Sequence, residues 1–142
     1  MDVFLLVEEL IKIWHEYLEK GIDVPKLAFY TNTSSGDTMQ KIYDNIYNSQ
    51  RLNKKYPRLS ELWFNWDGKP MIVGKSYQAS AEIKEYFTVK ESQWPNKERG
   101  DNGFPWMEFE RSLTKDSILS SITLYLSLLL FIVGFSIVIP SF

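Results

Sequence analysis

The sequence predicts an α/β fold in which helices alternate with parallel strands, followed by an apolar helix at the C-terminus. Three observations support this prediction: an amphipathic pattern at the start of the chain, short apolar runs separated by helical patterns and turn residues, and a long uncharged segment at the end. The chain has 142 residues, so the part before that segment has room for one small domain.

The first predicted helix covers residues 3–18, where steps of about 100° per residue separate a broad apolar side from a charged side. Only Leu5 falls on the charged side. Gly21 is well placed to end this helix, because glycine tolerates the left-handed conformation that often follows a helix. Pro25 then directs the chain into an extended conformation, and residues 26–30 form a short apolar run typical of a buried strand.

Turn and capping residues at positions 31–36 precede a second helix. Its apolar positions form one stripe: Met39, Ile42, Tyr43, Ile46 and Tyr47. We interpret Ser34, Ser35 and Gly36 as helix-capping residues, since the pattern of a phosphate-binding loop is absent.

The next pair of strands is marked by Asp67 and Gly68, which lie between two β-rich runs, residues 62–66 and 69–73, and indicate a tight turn. A short helix at residues 79–86 and a strand at residues 87–89 follow. The predicted element order is therefore α, β, α, β, β, α, β, which is typical of parallel βα units.

Composition excludes several classes of function. The net charge is -2 and the basic residues are interspersed with carboxylates, so we expect no nucleic-acid partner. The chain has no cysteine and one histidine, His15, so we expect no metal and no cofactor. His15 falls on the charged side of the first helix, where we expect it to be solvated.

Ligands of parallel βα sheets bind at the loops that leave the carboxyl ends of the strands. Three such loops stand out, at residues 30–33, 74–76 and 91–108, and the third is rich in indoles and carboxylates. Indole faces cover the C–H groups of a sugar ring while carboxylates accept its hydroxyl hydrogen bonds, so this composition favours a carbohydrate ligand. The alternative is aromatic packing within the loop. Candidate catalytic residues are Glu91 and Glu108, with Glu110 nearby, and candidate substrate-binding residues are Asn32, Trp94 and Trp106.

Four segments, residues 24–33, 62–70, 93–96 and 102–106, resemble an internal stretch of bacterial glycoside-hydrolase-like proteins related to families 71 and 99. The resemblance covers about residues 1–111. It implies part of a (β/α)8 barrel and a sugar substrate for the parent enzyme. None of the matched segments carries a residue that the resemblance identifies as the catalytic acid.

A (β/α)8 barrel typically needs about 250 residues, so the domain at residues 1–111 is expected to supply about three of eight βα units and to leave both sheet edges open. We therefore expect a truncated or frameshifted remnant of a carbohydrate-active barrel protein, with an incomplete catalytic set. The alternative is a small α/β binding or interaction protein anchored in a membrane.

The predicted anchor is a transmembrane helix at residues 118–139, joined to the domain by a linker at residues 112–117. As a helix it would span roughly 33 Å, against about 30 Å of hydrocarbon in a bilayer. Basic residues such as Arg111 and Lys115 precede it, which places the N-terminal part in the cytoplasm if the anchor is genuine. Intact relatives of the resembled family are expected outside the cytoplasm.

Overall fold

The computed structural model describes residues 3–94, 97, 98, 100–105 and, through their backbone, 135–138. The α-helices are α1 (Val3–Glu19), α2 (Ser35–Ile42), α3 (Gln50–Lys55) and α4 (Ala81–Tyr86). A π-helix (Tyr43–Tyr47) continues α2, and 3-10 helices cover Leu59–Leu62 and Ser76–Gln78. The strands are β1 (Ala28–Thr31), β2 (Asn65–Trp66), β3 (Lys69–Gly74), β4 (Thr88–Gln93), β5 (Gly103–Pro105) and β6 (Phe135–Val138).

Within the described residues, the strands form one sheet in the order β5-β4-β3-β1-β6, and β2 pairs with β3 as a hairpin. β1, β3, β4 and β5 are parallel, whereas β6 runs antiparallel to β1. The predicted α/β fold with parallel βα units is confirmed. The predicted element order is found as far as β4, except that α3 and the 3-10 helices were not predicted. Two strands that the sequence reading did not predict, β5 and β6, lie at the two ends of this order.

Helix α1 buries a narrower face than its apolar pattern predicts. The buried residues are Val3, Val7, Ile11 and Leu18. Leu5 is 62% exposed, as predicted. The predicted apolar side also contains residues that are exposed, which are Leu6, Ile13 and Tyr17. One edge of the apolar side of α1 therefore faces away from the core.

Glycines with positive φ end α1 and form the β2–β3 turn. Gly21 has φ 73°, and the Ile22 N–H donates to the Tyr17 carbonyl at 2.9 Å, which is the wrapping bond of a Schellman motif. Asp67 and Gly68 have φ values of 52° and 79° between the antiparallel β2 and β3. Two central residues with positive φ define a type I′ turn, so Asp67 serves the backbone geometry of the hairpin.

The helices pack on one side of the sheet, which we call the first face. Tyr47, from the π-helix, lies at the centre of this core: its ring centroid is 4.2 Å from that of Trp63, 4.7 Å from Phe87 and 5.9 Å from Phe29. The opposite side, which we call the second face, has a smaller apolar cluster. Its buried members are Ala28, Tyr30, Met71 and Val73, and the half-buried Phe64, Trp66 and Phe104 pack against them.

His15 is less solvated than its position on α1 predicts. Its side chain is only 12% exposed, and its Nε2 accepts a hydrogen bond from the Arg58 N–H at 3.4 Å. Its ring centroid lies 5.4 Å from that of Tyr56. The connection between α3 and β2 therefore covers this part of α1, and sequence periodicity along one helix does not reveal such a contact.

Most of the predicted transmembrane helix lies outside the described residues, as does the linker at residues 112–117. The four described residues of the predicted transmembrane helix, Phe135–Val138, form strand β6 and not a helix. In this strand, Ile137 is opposite Phe29 of β1. β6 also occupies the β1 edge of the sheet, which was expected to be open. Among the helices of the described residues, none combines the length and the apolar character needed to cross a bilayer.

Glu8 joins α1 to α3 through an ion-pair cluster. Its carboxylate accepts two hydrogen bonds from the Arg51 guanidinium, at 2.8 and 2.7 Å, and one from the Lys55 Nζ at 3.0 Å. The Glu8 side chain is 13% exposed, whereas those of Arg51 and Lys55 are 64% and 53% exposed. The hydrogen bonds from Arg51, followed by those from Lys55, lower the pKa of Glu8 to about 2.

We predict that Glu8 contributes to stability at neutral pH and loses that contribution in acid. Because its folded-state pKa of about 2 lies below its unfolded value, the contribution is complete above the unfolded pKa and falls as the pH approaches 2. With largely exposed partners, Glu8→Gln should cost about 1 kcal/mol at pH 7 in urea denaturation. The difference from the wild type should shrink as the pH falls below 4.

The matched control is Glu9→Gln. The Glu9 side chain is 65% exposed, and its carboxylate forms an ion pair, at 3.5 Å, with Lys12 of the same helix. We expect it to change stability by less than about 0.5 kcal/mol at either pH. Equal effects of the two substitutions at pH 7 would contradict the role of Glu8.

Candidate functional site

The carboxyl ends of the parallel strands share one edge of the sheet, which we call the carboxyl edge. β1, β3, β4 and β5 end there at Thr31, Gly74, Gln93 and Pro105. The structure brings three of the sequence-predicted residues to this edge, because Asn32 follows β1, Glu91 lies on β4 and Trp94 follows β4. The other candidates, Trp106, Glu108 and Glu110, lie outside the described residues.

Glu91 is the only carboxylate on the strands that the structure describes. Its backbone pairs with Gly74 on one side and Gly103 on the other, and its side chain is half-buried. Its Oε2 accepts a hydrogen bond from the Ser76 N–H at 3.0 Å. This bond fixes the loop after β3, and since a carboxylate offers about four acceptor positions, it leaves Glu91 capacity for a further donor.

Trp94 and Glu91 belong to the β4 part of the carboxyl edge, and Asn32 lies on the other side of the end of β3. Trp94 directly follows β4 and is 55% exposed, whereas Asn32 directly follows β1 and is half-buried. Two strand spacings separate β1 from β4, which places these positions about 10 Å apart along the edge. An indole, a carboxylate and a side-chain amide therefore lie along the same edge of the sheet.

Tyr30 connects the first and third parallel strands of this edge, a role that the sequence did not suggest. Its hydroxyl accepts a hydrogen bond from the Gln93 N–H at 3.0 Å and donates to the Gln93 carbonyl at 3.2 Å. The Tyr30 side chain is 4% exposed, and its burial raises its pKa to about 12. At neutral pH this phenol is therefore a protonated structural link and not an acid or base.

Ser35 does not have the capping role that the sequence suggested. Thr31 Oγ1 donates to the Val73 carbonyl at 3.0 Å, so Ser35 Oγ donates to Thr31 Oγ1 across 2.6 Å. The Ser35 oxygen also accepts from the Lys75 N–H at 2.8 Å, and both hydroxyl residues are fully buried. The N-cap position belongs to Ser34, whose side chain makes no capping hydrogen bond.

The buried hydroxyls of Thr31 and Ser35 lie against Gly74, where β3 ends. A Cβ atom at Gly74 would collide with both hydroxyl oxygens, and it would also lie 3.1 Å from the Met39 sulfur. Glycine at this position therefore lets α2 begin directly over the ends of β1 and β3. The Lys75 N–H is bound to the same Ser35 oxygen, and the next N–H, of Ser76, donates to Glu91, so this packing shapes the carboxyl edge as well as the core.

Three side chains able to contact a ligand lie at the described carboxyl edge: Trp94 is 55% exposed, and Glu91 and Asn32 are half-buried. No group of acidic or histidine side chains able to hold a metal ion is found among the described residues. A comparison with family models, curated proteins and solved structures finds no match.

We predict that Gly74→Ala destabilises the protein by about 1–3 kcal/mol, because the new methyl group overlaps the buried hydroxyls of Thr31 and Ser35. Urea denaturation monitored by tryptophan fluorescence would measure the change. Gly100→Ala is the matched control, because a Cβ at Gly100 meets nothing within 4 Å. Similar stability of the two variants would show that the packing around position 74 does not require glycine.

We also predict that Tyr30→Phe destabilises the protein by about 1–3 kcal/mol, because it leaves the Gln93 N–H and carbonyl without their partner. Tyr17→Phe, on the partly exposed side of α1, should change stability by less than about 0.5 kcal/mol. Thermal unfolding of both variants tests this, and hydrogen exchange should accelerate at the Gln93 amide in Tyr30→Phe alone.

Proposed function

We propose that the carboxyl edge binds a carbohydrate without cleaving it, within a partial (β/α)8-barrel fold of glycoside-hydrolase-like ancestry. The observation that carries this proposal is the position of Trp94, which is 55% exposed and follows β4 directly. Glu91 lies on the same strand, and Asn32 follows a strand of the same edge. Stacking of a sugar ring on an indole beside hydrogen-bond acceptors is a common arrangement in carbohydrate sites.

The barrel-like ancestry is supported by the sheet itself. Four parallel strands with their helices on one face reproduce one sector of a barrel wall, whose other face would line the interior. A closed barrel would require a parallel neighbour beside β1. The antiparallel β6 occupies that place, which supports a fold related to a barrel but not closed as one.

Binding without hydrolysis is supported by the carboxylates. Hydrolysis of a glycosidic bond normally needs two carboxyl groups, about 5–9 Å apart, on opposite sides of the scissile bond. The described strands provide Glu91 alone, and one of its oxygens is bound to the Ser76 N–H. These observations favour Glu91 as a hydrogen-bond acceptor for a sugar hydroxyl.

We predict that the full-length protein binds hexose oligosaccharides and that Trp94→Ala weakens binding at least tenfold, because it removes the stacking surface. Isothermal titration calorimetry against oligosaccharides of several linkages would measure this. The matched control is Tyr17→Ala. It also removes an aromatic side chain, which is 43% exposed, but from α1 and not from the loops of the carboxyl edge. We expect it to bind as the wild type does.

Two outcomes would contradict the proposal. If the protein binds no oligosaccharide, or if Trp94→Ala binds as tightly as the control variant, the carboxyl edge is not a sugar-binding site. If the wild type releases sugar from an oligosaccharide, and both Glu91→Gln and Glu108→Gln abolish this release, the protein is a hydrolase that uses these two carboxylates.

A further inference from the structure

We propose that a cavity between α1, the π-helix and α3 binds a small aromatic carboxylate, with its ring inside the cavity and its carboxylate at the rim beside Arg51. All the residues that line this cavity belong to these three helices, and none belongs to the loops of the carboxyl edge. A ligand in the cavity is therefore independent of sugar binding at that edge. The volume, the hydrogen-bond donors, the charge and the π-helix each support this site.

The cavity has the size and the apolar lining that one aromatic ring requires. Its volume is about 190 Å³, and it is partly open to solvent. Three of its lining side chains, Val7, Ile46 and Leu52, are at most 3% exposed, so the cavity reaches the buried core. Phe4 and Leu5 complete the apolar lining. An apolar cavity of about 150 Å³ is large enough to hold benzene, so this one has room for a ring with a short substituent.

The polar side chains of the lining are Glu8, Asn45 and Arg51, and they offer mainly donors. Asn45 Nδ2 donates one of its two N–H groups to the Lys41 carbonyl at 2.8 Å, which leaves the other for a ligand. The Glu8 carboxylate already accepts hydrogen bonds from Arg51 and Lys55, so most of its acceptor positions are occupied. A ligand group that accepts hydrogen bonds therefore fits this rim better than one that donates them.

Charge at the rim selects an anionic group. Glu8 is paired with two cations, Arg51 and Lys55, so this cluster has a net positive charge at neutral pH. The Arg51 hydrogen bonds to Glu8 come from Nη1 and Nη2, and they leave the Nε edge of the guanidinium for a second carboxylate. Hydrogen bonds between a guanidinium and a carboxylate are charge-assisted and stronger than those between neutral groups.

The π-helix forms one wall of the cavity. The Asn48 N–H donates to the Tyr43 carbonyl at 2.8 Å, a bond between residues five apart, whereas residues four apart are joined in an α-helix. Because a π-helix has more residues per turn, adjacent side chains lie closer together around its axis, and the neighbours Asn45 and Ile46 both line the cavity. Such wide turns are frequently found at functional sites, which agrees with a ligand at this position.

Titration of the full-length protein with benzoate, followed by two-dimensional ¹H–¹⁵N NMR, tests this site. We expect a Kd of about 1 mM or lower and shifts at the amides of residues 4–8, 45–46 and 51–52. Benzyl alcohol has the same ring without the charge, and we expect it to bind at least fivefold more weakly. Absence of binding up to about 10 mM benzoate, shifts confined to other residues, or equal binding of the two compounds would overturn the proposal.

Arg51→Gln should weaken benzoate binding at least fivefold, because it removes the guanidinium from the rim. The matched control is Lys54→Gln, which removes a positive charge from an exposed residue of the same helix that does not line the cavity. We expect the control to bind benzoate within twofold of the wild type. Equal losses in the two variants would show that Arg51 does not recognise the carboxylate and would overturn the proposal.

A second pair of variants, Leu5→Asp and Leu6→Asp, tests the position of the ligand if Arg51→Gln does not fold. Both leucines are exposed on α1, at 62% and 39%, but Leu5 lines the cavity and Leu6 does not. A carboxylate at the rim repels benzoate, so Leu5→Asp should weaken binding at least fivefold, whereas Leu6→Asp should change it less than twofold. Binding that is unchanged in Leu5→Asp, or weakened equally in both variants, would overturn the proposal.

Discussion

The close contact of β1, α2 and β3 around Gly74 is the constraint on which much of this structure depends. Two hydroxyl groups, from Thr31 and Ser35, are fully buried where these elements meet, and a buried hydroxyl is costly unless its hydrogen bonds are made. Each finds its partners in the other hydroxyl and in the backbone at the end of β3. The start of α2 is therefore fixed over two strand ends, and a side chain at Gly74 would separate them.

Fixing α2 in this way determines how the rest of the first face is packed. The π-helix that continues α2 carries Tyr47 into the aromatic cluster with Trp63 and Phe87, where its ring fills the space between the sheet and α4. Burial raises the pKa of Tyr47 well above its ordinary value, because desolvation disfavours the charged phenolate. All four α-helices of the described residues therefore pack on the first face, and none of them covers the loops that follow β1, β3 and β4 at the carboxyl edge except where α2 begins.

The sequence predicted the elements whose signals are local. α1, the type I′ turn at Asp67 and Gly68, and the parallel order of β1, β3 and β4 follow from periodicity, turn chemistry and element alternation. β5 was not predicted, because three residues, two of them glycine and proline, carry no strand pattern. β6 was not predicted either, since an uninterrupted apolar run has the same appearance whether it forms a strand or a helix.

In the candidate site, too, residues with a local sequence signal were predicted and residues that depend on distant partners were not. Asn32, Glu91 and Trp94 were identified because each follows or ends a predicted strand, and parallel strands bring such residues to one edge. The contribution of Tyr30 depends on Gln93, which is 63 positions away, and that of Thr31 depends on Val73, which is 42 positions away. Such pairs are set by the register of the sheet. One sequence without the fold gives no sign that these two residues hold the edge together, so candidate ligand contacts are easier to predict than the residues that position them.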